Sequence, residues 1–291
     1  MTNSEHSTGA RATIRAAMAA VLSLGGPACK PACGERGGAC AVEAGTYYAV
    51  PPADWDGRPL PMAMLLHGYS STPEGIFDKA DLAEALSDRG YLFVAPEGID
   101  RTWTLPGSPE AEDAPAARDD MAFLRDVAED AAQRWPLSAR LLGGFSHGSS
   151  AANVLACTSP EGWDALLSVS GTFWRPVPAR CEAALPVRHT HGTEDHTWPA
   201  EGRMFNETVG QGAVDDGLAA WAATNGCEEA PVQTVEGPTR CTVWPGCDLR
   251  VCWHDGAHLW PDGEIDRQLD WFEALVDVEA AENGAPSAAP P

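Results

Sequence analysis

The sequence predicts an α/β protein, with a mostly parallel central sheet and helices on both faces. Three observations carry this. Strand-like and helix-like segments alternate along the chain. Several strand-like runs are apolar almost throughout, as strands covered on both faces must be. And 291 residues at 44% hydrophobic content suffice for one α/β domain with a sizeable core.

The elements follow in order. A hairpin around "GTYYAVPP" precedes the core strands. "PMAMLLHG", Pro61–Gly68, is a nearly continuous apolar run and predicts a buried strand. A helical stretch covers Gly75–Arg89 and is closed by Gly90. "YLFVAPEG", Tyr91–Gly98, is the next strand. Asp119–Trp135 places Met121, Leu124, Val127 and Ala128 on one helical face, and Pro136 stops it. "ARLLGGFS", Ala139–Ser146, is a strand running into a turn, and "HGSSAANVLACT" continues as a helix of small residues. Ala165–Gly171 and Leu185–Gly192 are further strands. The segments "VDDGLAAWAAT" and "EIDRQLDWFEALV" are helices, with the strand Leu249–His254 between them. The expected total is about six core strands and five or six helices.

The ends differ in character. Residues 1–28 have the layout of an export signal: Arg11 and Arg15, then an apolar run from Ala16 that is too short to span a bilayer. "GPAC" also resembles a degenerate lipobox, so lipid on Cys29 and plain secretion both stay open. Residues 29–43 read as a Cys/Gly-rich linker, residues 44–278 as the catalytic domain, and residues 279–291 as a disordered Pro/Ala tail. The expected location is extracytoplasmic, with membrane contact only through a lipid on Cys29. The balance of 19 basic to 42 acidic residues, a net charge of −23, excludes binding to phosphate backbones and anionic membranes. A monomer is expected.

Nine cysteines in a chain with an export signal read as disulfides. Candidate pairs are Cys157 with Cys181, Cys241 with Cys247, and Cys227 with Cys252. Spacing leaves the connectivity open.

The chemistry centres on Gly144-Phe145-Ser146-His147-Gly148, a G-x-S-x-G pattern lying between a predicted strand and a predicted helix. That context makes it a nucleophile elbow, whose tight turn excludes bulky neighbours two residues either side of the serine. A serine needs a base, and the base an orienting acid. In hydrolase chain order the acid comes next and the histidine last. Asp195 follows one predicted strand and His258 the last one, so both reach the same sheet edge as Ser146. Glu194 competes for the acid, and His254 and His196 for the base. Oxyanion donors would be the backbone N–H groups of His147 and Tyr69, with His67 shaping the latter's turn.

"HTHGTEDH", His189–His196, offers a competing metal reading. Its spacing is two residues longer than the H-x-H-x-D-H of metallo-hydrolases, and no further ligand set is visible, so no metal is expected. Eleven tryptophans against four tyrosines point to an aromatic cleft, with Trp103, Trp174, Trp198 and Trp260 in loops near the site.

"LLHGY", "GFSHG", "HGTED", "WAATNGC" and "GAHLWP", in that order, resemble the secreted polyhydroxybutyrate depolymerase-like esterases. These are related to feruloyl and acetyl xylan esterases of the α/β-hydrolase superfamily. The resemblance spans residues 45–276. It implies hydrolysis of short-chain or aromatic esters through an acyl-enzyme, with Ser146 as nucleophile, Asp195 as acid and His258 as base, and no cofactor. Ser149 departs from the family's second glycine after the elbow. The 291 residues hold no segment expected to bind polymer, so soluble oligomers or small esters are the expected substrates. Two other readings remain: an inactive surface binding protein on a hydrolase scaffold, and a serine peptidase on the same fold.

Overall fold

A computed structural model of the chain describes residues 31–36, 38–113 and 118–282. The expected export signal and Cys29 lie outside the described residues. The strands are β1 (Ala39–Val42), β2 (Gly45–Val50), β3 (Leu60–Leu66), β4 (Leu92–Pro96), β5 (Leu137–Phe145), β6 (Ala165–Val169), β7 (Val187–Gly192), β8 (Arg203–Met204), β9 (Gly210–Gln211), β10 (Val232–Glu236), β11 (Thr239–Trp244) and β12 (Leu249–His254). The helices are α1 (Pro73–Phe77), α2 (Ala80–Asp88), α3 (Pro109–Asp113), α4 (Asp120–Arg134), α5 (His147–Thr158), α6 (Val214–Asn225) and α7 (Glu264–Glu282).

One ten-stranded sheet runs in the order β1-β2-β4-β3-β5-β6-β7-β12-β11-β10. The stretch from β4 to β12 is parallel. Antiparallel pairs close both ends: β1 and β2 on one side, β11 and β10 on the other. A separate short hairpin pairs β8 with β9.

The alternation of β3 shows how the sheet is covered. Met62, Met64 and Leu66 enter one core cluster with Phe123, Leu124 and Val127 of α4, Leu155 of α5 and Trp221 of α6. Ala63 and Leu65 enter the other with Leu82 and Leu86 of α2 and Leu269 and Phe272 of α7. Successive residues of a strand point to opposite faces, so a run with no polar position is one with no solvent face.

Local chemistry sets the helix ends. The Asp119 side chain accepts the Ala122 N–H and caps α4. Thr72 caps α1 ahead of Pro73. Gly226 ends α6 with φ 70°. The helix expected over Gly75–Arg89 is two helices, α1 and α2, parted at Asp78 and Lys79.

Three further differences concern the ends and the last strands. Residues 39–42 of the expected linker are β1, paired in register with β2 and tied to the preceding turn by Cys33–Cys40. The last helix, α7, runs to Glu282 and so includes residues 279–282 of the expected tail. The hairpin β10–β11 occupies a segment where no strand was expected, and it corrects two disulfides. The register places Cys241 directly opposite Cys252, and these two are bonded, with Cα atoms 4.0 Å apart. Cys227, just past the end of α6, is bonded to Cys247 in the turn between β11 and β12. The expected pairs Cys241–Cys247 and Cys227–Cys252 are therefore exchanged. Cys157–Cys181 is present.

A buried ion cluster ties these edge elements together. The Arg188 side chain on β7, fully excluded from solvent, bonds Glu236 of β10 at 2.7 Å and Glu264 of α7 at 2.9 Å. Among the described residues, no helix is long and apolar enough to cross a membrane.

Candidate active site

The strand β5 ends in a sharp turn into α5, and Ser146 is the turn. Its φ of 57° and ψ of −122° are strained for a residue with a side chain, at a cost of about 1–3 kcal/mol. The strain is held by close backbone packing. A Cβ on Gly144 would stand 2.4 Å from the Gly148 carbonyl oxygen, and one on Gly148 would stand 2.1 Å from that of Leu66. The Ser146 N–H donates to Val169 O of β6 at 2.8 Å, and α5 starts at the next residue. Its positive dipole end thus lies under the hydroxyl.

Parallel strands all present their carboxyl ends to one edge, so the loops after β5, β7 and β12 meet there. His258 Nε2 lies 2.8 Å from Ser146 Oγ, and His258 Nδ1 lies 2.7 Å from Asp195 Oδ2. The other Asp195 oxygen accepts the N–H groups of Thr197 and Trp198 at 2.9 and 2.8 Å. Asp195 is buried. Burial pushes its carboxyl up, but the hydrogen bonds from His258 and from the Trp198 N–H outweigh this, and the group lies below the ordinary aspartate value. The competing residues stand elsewhere. Glu194 and His196 are exposed on the same loop, and His254 is buried at the end of β12 with its Nε2 unpartnered.

The turn after β3 packs against the serine, where a Cβ on Gly68 would stand 3.3 Å from Ser146 Cβ. His147 N–H opens α5, and Tyr69 N–H belongs to the turn after β3. The turn is braced by His67, whose Nε2 accepts the Gly98 N–H at 3.0 Å and whose Nδ1 donates to Gly68 O at 2.9 Å. The Tyr69 side chain is 65% exposed.

The tryptophans sit differently from expectation. Trp103 and Trp198 have 0% and 1% of their surface exposed, and Trp174 and Trp260 are buried as well. Trp103 and Trp198 support the edge from beneath, while Trp174 and Trp260 each border a surface pocket. Trp103 Nε1 donates to His67 O at 2.8 Å, and Trp198 Nε1 to Gly212 O at 3.1 Å. Trp174 Nε1 donates to His147 Nδ1 at 3.2 Å, so His147 is neutral there and donates from Nε2 to Trp103 O at 2.8 Å. A buried indole N–H usually finds an acceptor; backbone carbonyls serve Trp103 and Trp198 and His147 serves Trp174, while Trp260 Nε1 is buried without a hydrogen-bond partner. The exposed apolar side chains include Tyr69, Met204, Phe205 and Leu259. Phe205, on the β8–β9 hairpin, stacks near Trp174 with centroids 5.8 Å apart. Sequence reasoning did not select Phe205, because two-residue strands leave no periodic signal.

The nitrogens of His189 and His191 are all engaged in hydrogen bonds, with Ser168, with each other and with Trp198 O. The metal-type group found among the described residues is Glu236 with Cys241 and Cys252. Those two sulfurs are bonded to each other and Glu236 is held by two arginines, so its donor atoms are taken.

This sheet order, elbow and loop placement define an α/β-hydrolase fold. No family model matches the chain. It is 27% identical to the Nocardia uniformis subsp. tsuyamanensis protein named "Putative esterase NocK", over 78% of this chain and 75% of that one. Among solved structures, the acetyl xylan esterase from Aspergillus awamori superposes with a TM-score of 0.60 at 15% identity, over 78% of this chain and 93% of that one. Esterase PE8 superposes with a TM-score of 0.52 at 18% identity, over 78% and 97%.

Proposed function

We propose that the chain is a serine carboxylic-ester hydrolase that works through an acyl-enzyme on Ser146. One observation carries the reading: the unbroken line Ser146 Oγ–His258 Nε2, His258 Nδ1–Asp195 Oδ2, at 2.8 and 2.7 Å. His258 takes the hydroxyl proton as Ser146 Oγ attacks the ester carbonyl. Asp195, ionised, stabilises the imidazolium that forms. The amides of His147 and Tyr69 receive the oxyanion. His258 then passes its proton to the departing alcohol oxygen. A water enters, gives a proton to the same nitrogen and adds to the acyl carbon; the Ser146 Oγ–acyl bond then breaks, His258 returns the proton to Oγ, and the acid leaves. The similarity to NocK and to two esterase structures agrees with an ester as substrate.

Neutral short-chain or aromatic esters are the substrates that fit best. A net charge of −23 disfavours anionic ones, and the apolar side chains of Tyr69, Phe205 and Leu259 stand open to solvent. Hydroxybutyrate oligomers, feruloyl esters and acetylated xylan fall in this class. Four disulfides support work outside the cytoplasm. The test is Ser146→Ala assayed on p-nitrophenyl acetate, with a fluorophosphonate probe on the wild type. Turnover should fall on the order of 10⁴-fold or more while the fold persists, and the probe should label Ser146. Retained turnover in the variant, or an unlabelled wild type, overturns the reading.

A further inference from the structure

The segment His189–His196 holds two histidines that the proposed reaction does not use. They sit on β7, one strand position ahead of the loop carrying Asp195, and both are buried. We propose that His191 is a positioning residue for Asp195, with its hydrogen-bond direction fixed by the Trp198 carbonyl and passed back along a buried chain that ends at Trp221 on α6. This rests on the esterase reading above.

The direction of every bond in the chain can be worked out from its two ends. Trp198 O can only accept, so His191 Nε2, 2.8 Å away, carries a hydrogen. Trp221 Nε1 can only donate, so Asn153 presents Oδ1 to it at 3.0 Å and its amide nitrogen to Ser168 Oγ at 2.9 Å. Ser168 Oγ lies 2.7 Å from His189 Nδ1, and His189 Nε2 lies 3.1 Å from His191 Nδ1. A neutral His191 with hydrogen on Nε2 has a lone pair on Nδ1. His189 must then donate from Nε2, and Ser168 must give its single hydroxyl hydrogen to His189 Nδ1. Gly171 O, within reach of Ser168, is served instead by Ser149 Oγ at 2.8 Å. Every member is thereby satisfied with both histidines uncharged. Burial acts the same way, holding His189 well below the ordinary histidine value and His191 below it.

The chain runs between the parts of the proposed triad. Asn153 and Ser149 lie on α5, the helix that starts behind Ser146. His189 and His191 lie on β7, which ends in the Asp195 loop. At its far end Trp198 is held twice: its carbonyl by His191, and its N–H by Asp195 Oδ1 at 2.8 Å. His191 thus fixes the turn that fixes the carboxylate. It does not compete for Asp195 Oδ2, which it approaches at 3.5 Å against 2.7 Å for His258. A buried histidine pair kept only for packing would satisfy its own nitrogens without setting the acid's aim. The two roles differ in what a variant loses.

The test compares His191→Leu, His191→Gln and His189→Leu with the wild type on p-nitrophenyl acetate. The far-downfield proton NMR signal of His258 Nδ1–H is followed alongside. His191→Leu removes the donor to Trp198 O. It should lower kcat about 10²-fold, the scale of a misplaced catalytic group, with KM changed less than about 2-fold, and should weaken the downfield signal. His191→Gln keeps an amide donor for Trp198 O and an acceptor for His189, and should restore kcat to within about 5-fold. His189→Leu should lie between, and it carries the test if His191→Leu does not fold. Wild-type kcat in both leucine variants, an unmoved downfield signal, or a glutamine variant no better than leucine overturns the proposal. If the wild type neither hydrolyses the ester nor labels with fluorophosphonate, the esterase reading fails instead. The NMR signal still reports whether His191 aims Asp195.

Discussion

Gly148, two residues past the nucleophile candidate, lies so close to Leu66 that a methyl group on it would stand 2.1 Å from the Leu66 carbonyl oxygen. The elbow is therefore wedged against β3, and the serine's backbone strain is held by packing between two parallel strands and a helix. Gly148→Ala should destabilise the protein by about 3 kcal/mol or more, since a rigid backbone cannot yield as a side chain can. Gly90→Ala offers the contrast. Gly90 has φ 78° and nothing within 4 Å of its missing Cβ, so only left-handed backbone strain applies, about 1–2 kcal/mol. Urea denaturation of the two variants checks this, and equal losses would contradict the wedge.

Asp195→Asn should leave the loop in place, because the side-chain carbonyl can still accept the Thr197 and Trp198 N–H groups. The amide cannot stabilise an imidazolium. Turnover should fall about 10³–10⁴-fold with stability little changed. A drop below about 10-fold would remove Asp195 from the role of acid.

The disulfide pairing makes a mass-spectrometric prediction. Trypsin cuts after Arg203, Arg240, Arg250 and Arg267, which separates Cys227, the Cys241/Cys247 pair and Cys252 onto three peptides. The bonds Cys227–Cys247 and Cys241–Cys252 join all three into one species. A self-closed middle peptide, with Met204–Arg240 linked to Val251–Arg267, would show the other pairing.

Stability should decline as the pH falls below about 6.5. His67, His147, His189 and His191 are held below the ordinary histidine value, chiefly by burial. Between the folded and unfolded values, the unfolded chain binds protons that the fold refuses, so lowering the pH favours unfolding. Each such group contributes about 1.4 kcal/mol per pH unit in that window. Asp195, also lowered, acts in the same direction but only below about pH 3.9. Urea midpoints measured at pH 7.5 and 5.0 check this, and equal midpoints would contradict it.

The parallel core and the three convergent side chains were legible in the sequence for one reason. Loops after parallel strands meet at one sheet edge, and Ser146, Asp195 and His258 each lie just past such a strand, even though β7 carries buried Arg188, His189, Thr190 and His191 and is not an apolar run. What hid the rest is also physical. Val232–Gln233–Thr234–Val235 of β10 is exposed at every position, so the strand carries no burial alternation to read. Without that hairpin, the register that sets Cys241 against Cys252 could not be seen. The sequence suggests Trp103 and Trp198 as walls of an aromatic cleft, and the structure buries both. Composition does not say that their N–H groups turn inward to backbone carbonyls.

Arg188 grips the outer hairpin through Glu236 and the last helix through Glu264, and it stands on the strand that leads to Asp195. The loop bearing His258 is strung between β12 and that same helix. Asp195 and His258 thus ride on elements bolted together below the rim, while Ser146 rides on β5 and α5, with β6 between. A displacement of Asp195 should therefore carry His258 with it, leaving the separation of His258 from Ser146 the one most open to change.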